Sequence, residues 1–409
     1  MKKSLIVVGG GAAGFFTAIN SKLNNPELDI TVLEATARLL TKVKISGGGR
    51  CNVTHNEFDP KKLIMNYPRG SKELLGAFYR FNPSHTIEWF RERGVELKVE
   101  SDGRMFPTTD SSTTIINTFL DEARSLGIKI QKRAFVDSVT FADEKFSVQL
   151  KSGDTIISDF LLLATGSSPV GHKISESLGH TITELSPSLF TFNINNSLLE
   201  GNAGVSFKDA EILLKIEGSK KKWSFSGPTL ITHWGLSGPA VLKLSAFAAR
   251  ELFKSNYQAN IVIKWNRLLS EQDAVEQIQT FRSKNSKKII SKNPALNFPK
   301  RFWASLCVQA GIKTEKIYSD LSKKEQNILL NLMLNCNLKV EGKGVFKEEF
   351  VTCGGVSLKE VDTRSFESKL IPGLFFAGEI LDIDGITGGF NFQNAWTSSY
   401  LVSQELSMK

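Results

Sequence analysis

The residues whose spacing could do chemistry stand at the start of the chain. Gly9-x-Gly11-x-x-Gly14 follows an apolar run, Ser4 to Val8, and leads into Phe15 to Leu23, which has helical character. In that context each glycine has a mechanical task. Gly9 permits a tight turn, Gly11 lets backbone N–H groups approach a pyrophosphate, and Gly14 lets a helix pack closely on a sheet. Ala12 and Ala13 carry the first N–H groups of that helix, where unpaired donors and a positive dipole end favour an anion. A second strand, Ile30 to Leu33, closes at Glu34, where a carboxylate can accept hydrogen bonds from ribose hydroxyls. A lone glycine triplet is often a plain turn, but strand, helix and acid together read as a dinucleotide site.

A second glycine-rich run, Ser46-Gly47-Gly48-Gly49-Arg50-Cys51-Asn52-Val53-Thr54, follows shortly after Glu34. A nicotinamide dehydrogenase fingerprint has no need of it. Consecutive glycines allow close backbone approach to a ligand, while Arg50, with Lys44 just before the run, can pair with a phosphate oxygen. The bland alternative is a mobile surface loop. His233, beside the turn Gly235-Leu236-Ser237-Gly238-Pro239, is the candidate proton shuttle, because imidazole titrates near neutral pH. A lone histidine is nevertheless more often structural. Arg104 is a candidate clamp for an anionic substrate, or a partner of Arg50 on cofactor phosphates. Cys51, Cys307, Cys336 and Cys353 are scattered without a C-x-x-C pair, which argues against a zinc site or a dithiol redox motif and fits a reduced, cytoplasmic setting.

The elements that must position these groups follow from periodicity. The N-terminal strands and helix form a β-α-β unit. Thr113 to Leu126 reads as an amphipathic helix, Phe146 to Leu150 and Thr155 to Ile157 as a hairpin about Gly153, and Phe160 to Ala164 as a buried strand ending in Thr165-Gly166. From Pro187 the pattern changes to strands such as Glu211 to Ile216 and Ile261 to Trp265, then to helical, Lys-rich sequence through about Leu334. Glycine punctuation returns with Gly354-Gly355, Gly378-Glu379 and Gly388-Gly389-Phe390-Asn391, the last opening a terminal helix. The expected organisation is one domain from residues 1–186 and 346–409, with 187–345 inserted as a β-rich and helical substrate or lid domain.

Composition is that of an ordinary globular protein: 409 residues, 41% hydrophobic and 23% charged. The formal net charge is +9, so the surface favours anions of some kind. Much of the excess is local. Lys220, Lys221 and Lys222 look like a hairpin tip, and Arg282 to Arg301 contains Lys284, Lys287, Lys288, Lys292 and Lys300. Aromatic interleaving is sparse there, which favours a solvated surface over an RNA patch. A small-molecule substrate is therefore expected and a nucleic acid is not. No apolar stretch approaches the ~20 residues that span a bilayer, and Gly9 to Gly14 interrupt the early apolar run that could be misread as a signal peptide. No metal site is expected.

Several runs together carry a resemblance. They are Val7 to Gly14, Ser46 to Thr54, Gly103-Arg104-Met105-Phe106-Pro107, Ala164-Thr165-Gly166, Trp234 to Ala240, and Gly378-Glu379-x-x-Asp382-x-x-Gly385-x-x-Gly388-Gly389-Phe390-Asn391-x-Gln393-x-Ala395. In this order, from residue 4 to about 400, the chain resembles the HI0933-like flavoprotein family of NAD(P)/FAD-dependent oxidoreductases and aminoacetone-oxidase-like FAD-binding enzymes. The resemblance implies FAD held by a discontinuous α/β domain of the two-dinucleotide-binding, Rossmann-like type. It implies cofactor contacts from Lys44, Ser46, Gly47, Gly49, Arg50, Cys51 and Asn52, from Ala164, Thr165 and Gly166, and from Gly355.

The same resemblance lays Gly378 against the ribityl-pyrophosphate, with Glu379 accepting a hydroxyl. It turns Gly388, Gly389, Asn391 and the following helix N-terminus toward the flavin N1–C2=O edge, where a positive dipole end steadies the charge of reduced flavin. By analogy with related flavoproteins, the Val136 backbone contacts adenine. The implied chemistry is hydride or electron transfer between flavin and an unidentified small molecule, as an NAD(P)H-fed reductase or an oxygen-using amine oxidase. Only one dinucleotide fingerprint is present, so NAD(P)H is at most a transient donor. An RNA-associated flavoprotein using its basic insert, and an FAD-binding protein without turnover, are the rival readings. Ser167 stands where the family more often has a second glycine after Ala-Thr-Gly.

Overall fold

The computed structural model describes residues 2–344 and 351–409. The chain divides into two compact units, Met1–Leu185 with Thr352–Lys409, and Ser186–Val351. The boundary expected between residues 345 and 346 lies outside the described residues.

The first unit is built on a seven-stranded sheet. Its parallel part comprises β1 (Ser4–Val8), β2 (Asp29–Glu34), β3 (Lys129–Lys132), β4 (Phe160–Leu163) and β5 (Leu374–Phe376), in the spatial order β5-β4-β1-β2-β3. Register pairs Val8 with Leu33 on one side and with Leu163 on the other, and Leu163 with Phe376. Leu5 to Val8 and all of β4 are buried, the continuous apolar run of strands covered on both faces. Two short antiparallel strands, Val361–Asp362 and Glu367–Ser368, extend the edge beside β5. From β1 the chain moves to one neighbour, β2, and returns later on the opposite side as β4. This reversal is a topological switch point, and it opens a crevice beyond the carboxyl ends of β1 and β4, at Gly9 and Ala164.

Both ends of the chain close that sheet. Helix α1 (Ala12–Asn24) packs along the terminal helix α2 (Phe390–Met408), and the Ser399 hydroxyl of α2 donates to the Ala13 carbonyl at 2.9 Å. The rings of Phe16 and Trp396 lie 5.2 Å apart between them. Gln393, fully buried, accepts from Thr54 Oγ1 at 2.6 Å and Thr86 Oγ1 at 2.9 Å and donates to Thr397 Oγ1 at 3.0 Å, so its amide is satisfied out of water. The hairpin expected about Gly153 is present, with Gly153 at φ +96 between strands Lys145–Leu150 and Thr155–Ser158.

The second unit carries an antiparallel seven-stranded sheet in the order Cys336–Val340, Ala259–Lys264, Ser206–Lys215, Lys222–Thr232, Gly235–Ser237, Phe192–Asn193, Gly342–Lys343. Alternate residues such as Ile212, Leu214, Ile261, Ile263 and Leu338 share one core with Leu244, Phe302, Trp303 and Met333 of the helices Pro239–Phe247, Lys300–Gln309 and Lys323–Leu334. Lys222 begins a strand in place of sitting at the hairpin tip, because cross-strand pairing with Lys215 already starts there. Among the described residues, no helix is long and apolar enough to cross a membrane.

Candidate functional site

The glycine turn after β1 divides its labour among its three glycines. A Cβ on Gly9 would lie 2.4 Å from the Ala164 carbonyl oxygen, and one on Gly14 would lie 2.0 Å from the Gly9 carbonyl oxygen. Those two positions serve the protein's own packing, and Gly9 also needs its φ of +117. Gly11 differs: a Cβ there meets nothing within 4 Å. Its missing side chain leaves open space at the very start of α1, which begins without a side-chain cap and without an acidic residue in its first turn. Ala12 and Ala13 follow immediately. Open space, capless helix N-terminus and switch point coincide, and that combination suits a pyrophosphate.

Glu34 closes one side. Its carboxylate accepts from the Gly10 N–H at 3.0 Å and the Thr36 N–H at 2.8 Å, fixing its position beside the turn. The Glu34 carbonyl accepts from the Ala134 N–H at 2.9 Å, which brings the chain two residues before Val136 against the end of β2. Val136 itself is buried and pairs with Leu150.

Gly378 and Glu379 form the other side. Gly378, at φ +75, donates to Ser398 Oγ at 3.0 Å, and a Cβ on it would approach Ala13 Cβ to 3.1 Å and Ala395 Cβ to 3.7 Å. Glu379 forms an ion pair with Lys42, and both lie close to Gly166. Sequence reasoning chose Lys44 and missed Lys42, because a pairing across 337 positions leaves no local signal. Lys44 is exposed, and its carbonyl accepts from Ser112 Oγ at 2.9 Å. Thr165 Oγ1 is buried without a hydrogen-bond partner among the described residues.

The second glycine run is partly helical. Thr41–Gly49 starts as a helix and turns at Ser46, after which Gly47, Gly48 and Gly49 take φ of +57, +70 and +86. The Cys51 N–H returns to the Ser46 carbonyl at 3.0 Å, and Cys51 itself holds a left-handed φ of +63. Burial pushes the Cys51 thiol up to about 12, so it offers no thiolate near neutral pH. Arg50 lies 4.0 Å over the Phe106 ring and pairs with Glu100 at 2.6 Å and Asp110 at 3.5 Å. Arg104 pairs with Glu100 at 3.1 Å and Asp102 at 2.7 Å. Both guanidinium groups thus have carboxylate partners in the same unit.

The segment leading into α2 is clamped. Asn391 accepts from the Gly385 N–H at 2.8 Å and donates to its carbonyl at 2.9 Å, while Tyr67 donates to the Phe390 carbonyl at 2.7 Å. With its amide oriented to satisfy both ends, Asn52 accepts from the Gly389 N–H at 2.9 Å and donates to the Thr54 carbonyl at 3.0 Å. Arg69 forms an ion pair with Asp384, which is 1% exposed. His55 Nδ1 lies 3.0 Å from the Gly388 carbonyl, with its ring 4.6 Å from that of Phe390. Gly355 donates to Thr183 Oγ1 at 3.0 Å and accepts from the Thr183 N–H at 2.8 Å. Asn52, Asn391 and Gly355, expected at the cofactor, therefore have protein partners that hold the loops in shape. Tyr67, Arg69 and Asp384 had no sequence signal. His233 is exposed, in the turn between strands Lys222–Thr232 and Gly235–Ser237 of the second unit.

FAD fits this set: open space at Gly11 for the pyrophosphate, Glu34 for the ribose, and Glu379 with Lys42 for ribityl or phosphate oxygens. Residues 3–405 match the HI0933-like protein Rossmann domain. The chain is 28% identical over 410 residues to the ribosomal RNA dihydrouridine synthase of Escherichia coli (strain K12), covering 98% of this chain and 97% of that protein. It is 25% identical over 414 residues to the 3-dehydro-bile acid delta(4,6)-reductase of Clostridium scindens, covering 97% of each. Among solved structures, a flavocytochrome c3 fumarate reductase aligns with a TM-score of 0.50 at 13% identity, covering 99% of this chain and 78% of that one. The 3-ketosteroid delta1-dehydrogenase from Sterolibacterium denitrificans aligns with a TM-score of 0.50 at 10% identity, covering 99% and 100%. These structures speak to fold alone. The chain is an FAD-dependent oxidoreductase and belongs to the HI0933-like Rossmann domain family.

Proposed function

We propose that this enzyme reduces a carbon–carbon double bond conjugated to a carbonyl, and that the bond belongs to uridine within ribosomal RNA. The first half rests on what two full-length relatives are named for. Dihydrouridine is uridine with two hydrogens added across one double bond, and a delta(4,6)-reductase of a 3-dehydro bile acid saturates double bonds conjugated to a ketone.

One observation favours RNA over a steroid. The unit Ser186–Val351 contains 24 Lys and Arg against 14 Asp and Glu, whereas the rest of the chain contains 27 against 28. The whole cationic excess is segregated into the inserted unit, which suits a polyanion better than a bile acid with its single carboxylate. That segregation outweighs the sparse aromatic interleaving, which argued for a merely solvated surface.

FAD, when bound, supplies the hydride. In this reading the chain's own residues bind and orient. The Gly11 opening and the N-terminus of α1 take the pyrophosphate, and Glu34 takes the ribose. Glu379 orients a ribityl hydroxyl while Lys42 holds its charge. An imidazole nitrogen of His233 gives a proton to the substrate carbon that does not receive hydride. NAD(P)H is the proposed electron donor, docking transiently, since the chain offers one dinucleotide fingerprint.

Nucleoside analysis of ribosomal RNA from cells lacking this gene tests the proposal. The expected result is loss of dihydrouridine and its return with the wild-type gene. Unchanged dihydrouridine would end the RNA reading. Turnover of a steroid dienone by the purified enzyme would then favour the small-molecule alternative.

A further inference from the structure

The register of the second unit's sheet assembles a cationic row that no stretch of sequence displays. Lys215 pairs with Lys222 on one side and with Asn260 on the other, and Asn260 pairs with Lys339. These residues therefore stand side by side across four adjacent strands, with their side chains on one face. All four are exposed. Their strand neighbours Leu214, Ile261 and Leu338 point the opposite way, into the core shared with the helices.

Two like charges set directly opposite each other, Lys215 and Lys222, oppose sheet pairing, so this arrangement costs stability. Among the described residues neither lysine has a carboxylate partner, and Lys339 has none either. The next row sets Ser224, Leu213, Val262 and Asn337 side by side, two exposed polar side chains flanking two half-buried apolar ones. Beyond them come Ser226, Glu211 and Lys264 in one row, where the acid and the lysine compensate each other. The face thus presents a positive edge followed by a row in which Ser224 and Asn337 flank Leu213 and Val262.

We propose that this open sheet face, centred on Lys215, Lys222 and Lys339, is where the enzyme holds the phosphate backbone of its RNA. The inference rests on the reading of RNA as substrate and adds which surface receives it. Strand spacing of about 4.8 Å puts the lysines within reach of successive phosphates along an extended strand. The scarcity of aromatic residues fits a surface that grips the backbone and leaves base selection to the flavin unit.

The test uses the full-length, FAD-loaded protein and a fluorescein-labelled transcript of ribosomal RNA sequence, with affinity measured across a salt series. The triple variant Lys215→Ala, Lys222→Ala, Lys339→Ala is compared with wild type. A control triple, Lys313→Ala, Lys323→Ala, Lys324→Ala, removes equal charge from the helical side of the same unit. The sheet-face variant is expected to lose tenfold or more in affinity and to lower the slope of log K against log salt by about 2, with flavin content unchanged. The control is expected to keep most of the wild-type slope. Equal losses in both variants, or none in the sheet-face variant while wild type binds, would overturn the surface and leave the RNA reading standing. Wild type that shows no salt-dependent RNA binding would overturn both.

Discussion

The Gly10 N–H donates to Glu34 Oε2 at 3.0 Å, so the acid that ends the second strand is bonded to the turn that ends the first. The residue expected to bind ribose therefore also braces the glycine turn. Glu34→Ala should weaken FAD binding by about 1.5 to 3 kcal/mol, the usual worth of a hydrogen bond to a charged group, or roughly one to two orders of magnitude in Kd. Titration of deflavinated protein with FAD measures this. An unchanged Kd would remove Glu34 from the site.

Gly11 and Gly14 should part company on substitution. Gly11 has φ −96 and open space where a Cβ would project, so Gly11→Val should fold with a Tm close to that of deflavinated wild type yet fail to retain FAD. Gly14→Ala drives a Cβ into the Gly9 carbonyl and should lower Tm as well. Thermal melting with flavin quantification reads both effects. Stoichiometric FAD in Gly11→Val would mean that the open space serves something else.

The N-terminal β-α-β unit was legible because each of its signals is local: an apolar run, glycines at fixed offsets, an acid at the next strand end. The switch point was not, since it depends on β4 and β5 arriving from distant sequence to flank β1. The same holds for Lys42 with Glu379 and for Arg69 with Asp384. Asn391 and Gly355, which the family resemblance assigns to the cofactor, also bond to Gly385 and Thr183, contacts that no local sequence signal announces. The row Lys215, Lys222, Lys339 stayed hidden because a one-residue change of register would move each lysine to the other face.

All four cysteines are buried and form no disulfide with one another, and burial pushes the thiols of Cys51, Cys307 and Cys336 up to about 12. The native protein should therefore react negligibly with an aromatic disulfide reagent at pH 8, and four thiols should appear in denaturant. A rapidly reacting native thiol would reopen a redox role for cysteine.

His233→Ala should lower turnover by about 10²-fold or more, the lower end for a lost general acid, while flavin content and Tm stay unchanged. Turnover per bound flavin and its pH profile separate the outcomes. If turnover per flavin stays normal, the proton comes from water or another group.

In the proposed reaction, the transfer of flavin electrons ends on uridine in RNA. It is tested most directly by mixing the photoreduced enzyme anaerobically with ribosomal RNA from cells lacking the gene, following flavin reoxidation and then analysing the nucleosides by mass spectrometry. Rapid reoxidation is expected, with one uridine gaining two hydrogens per flavin. Flavin that stays reduced in the presence of bound RNA, with every uridine unchanged, would contradict it.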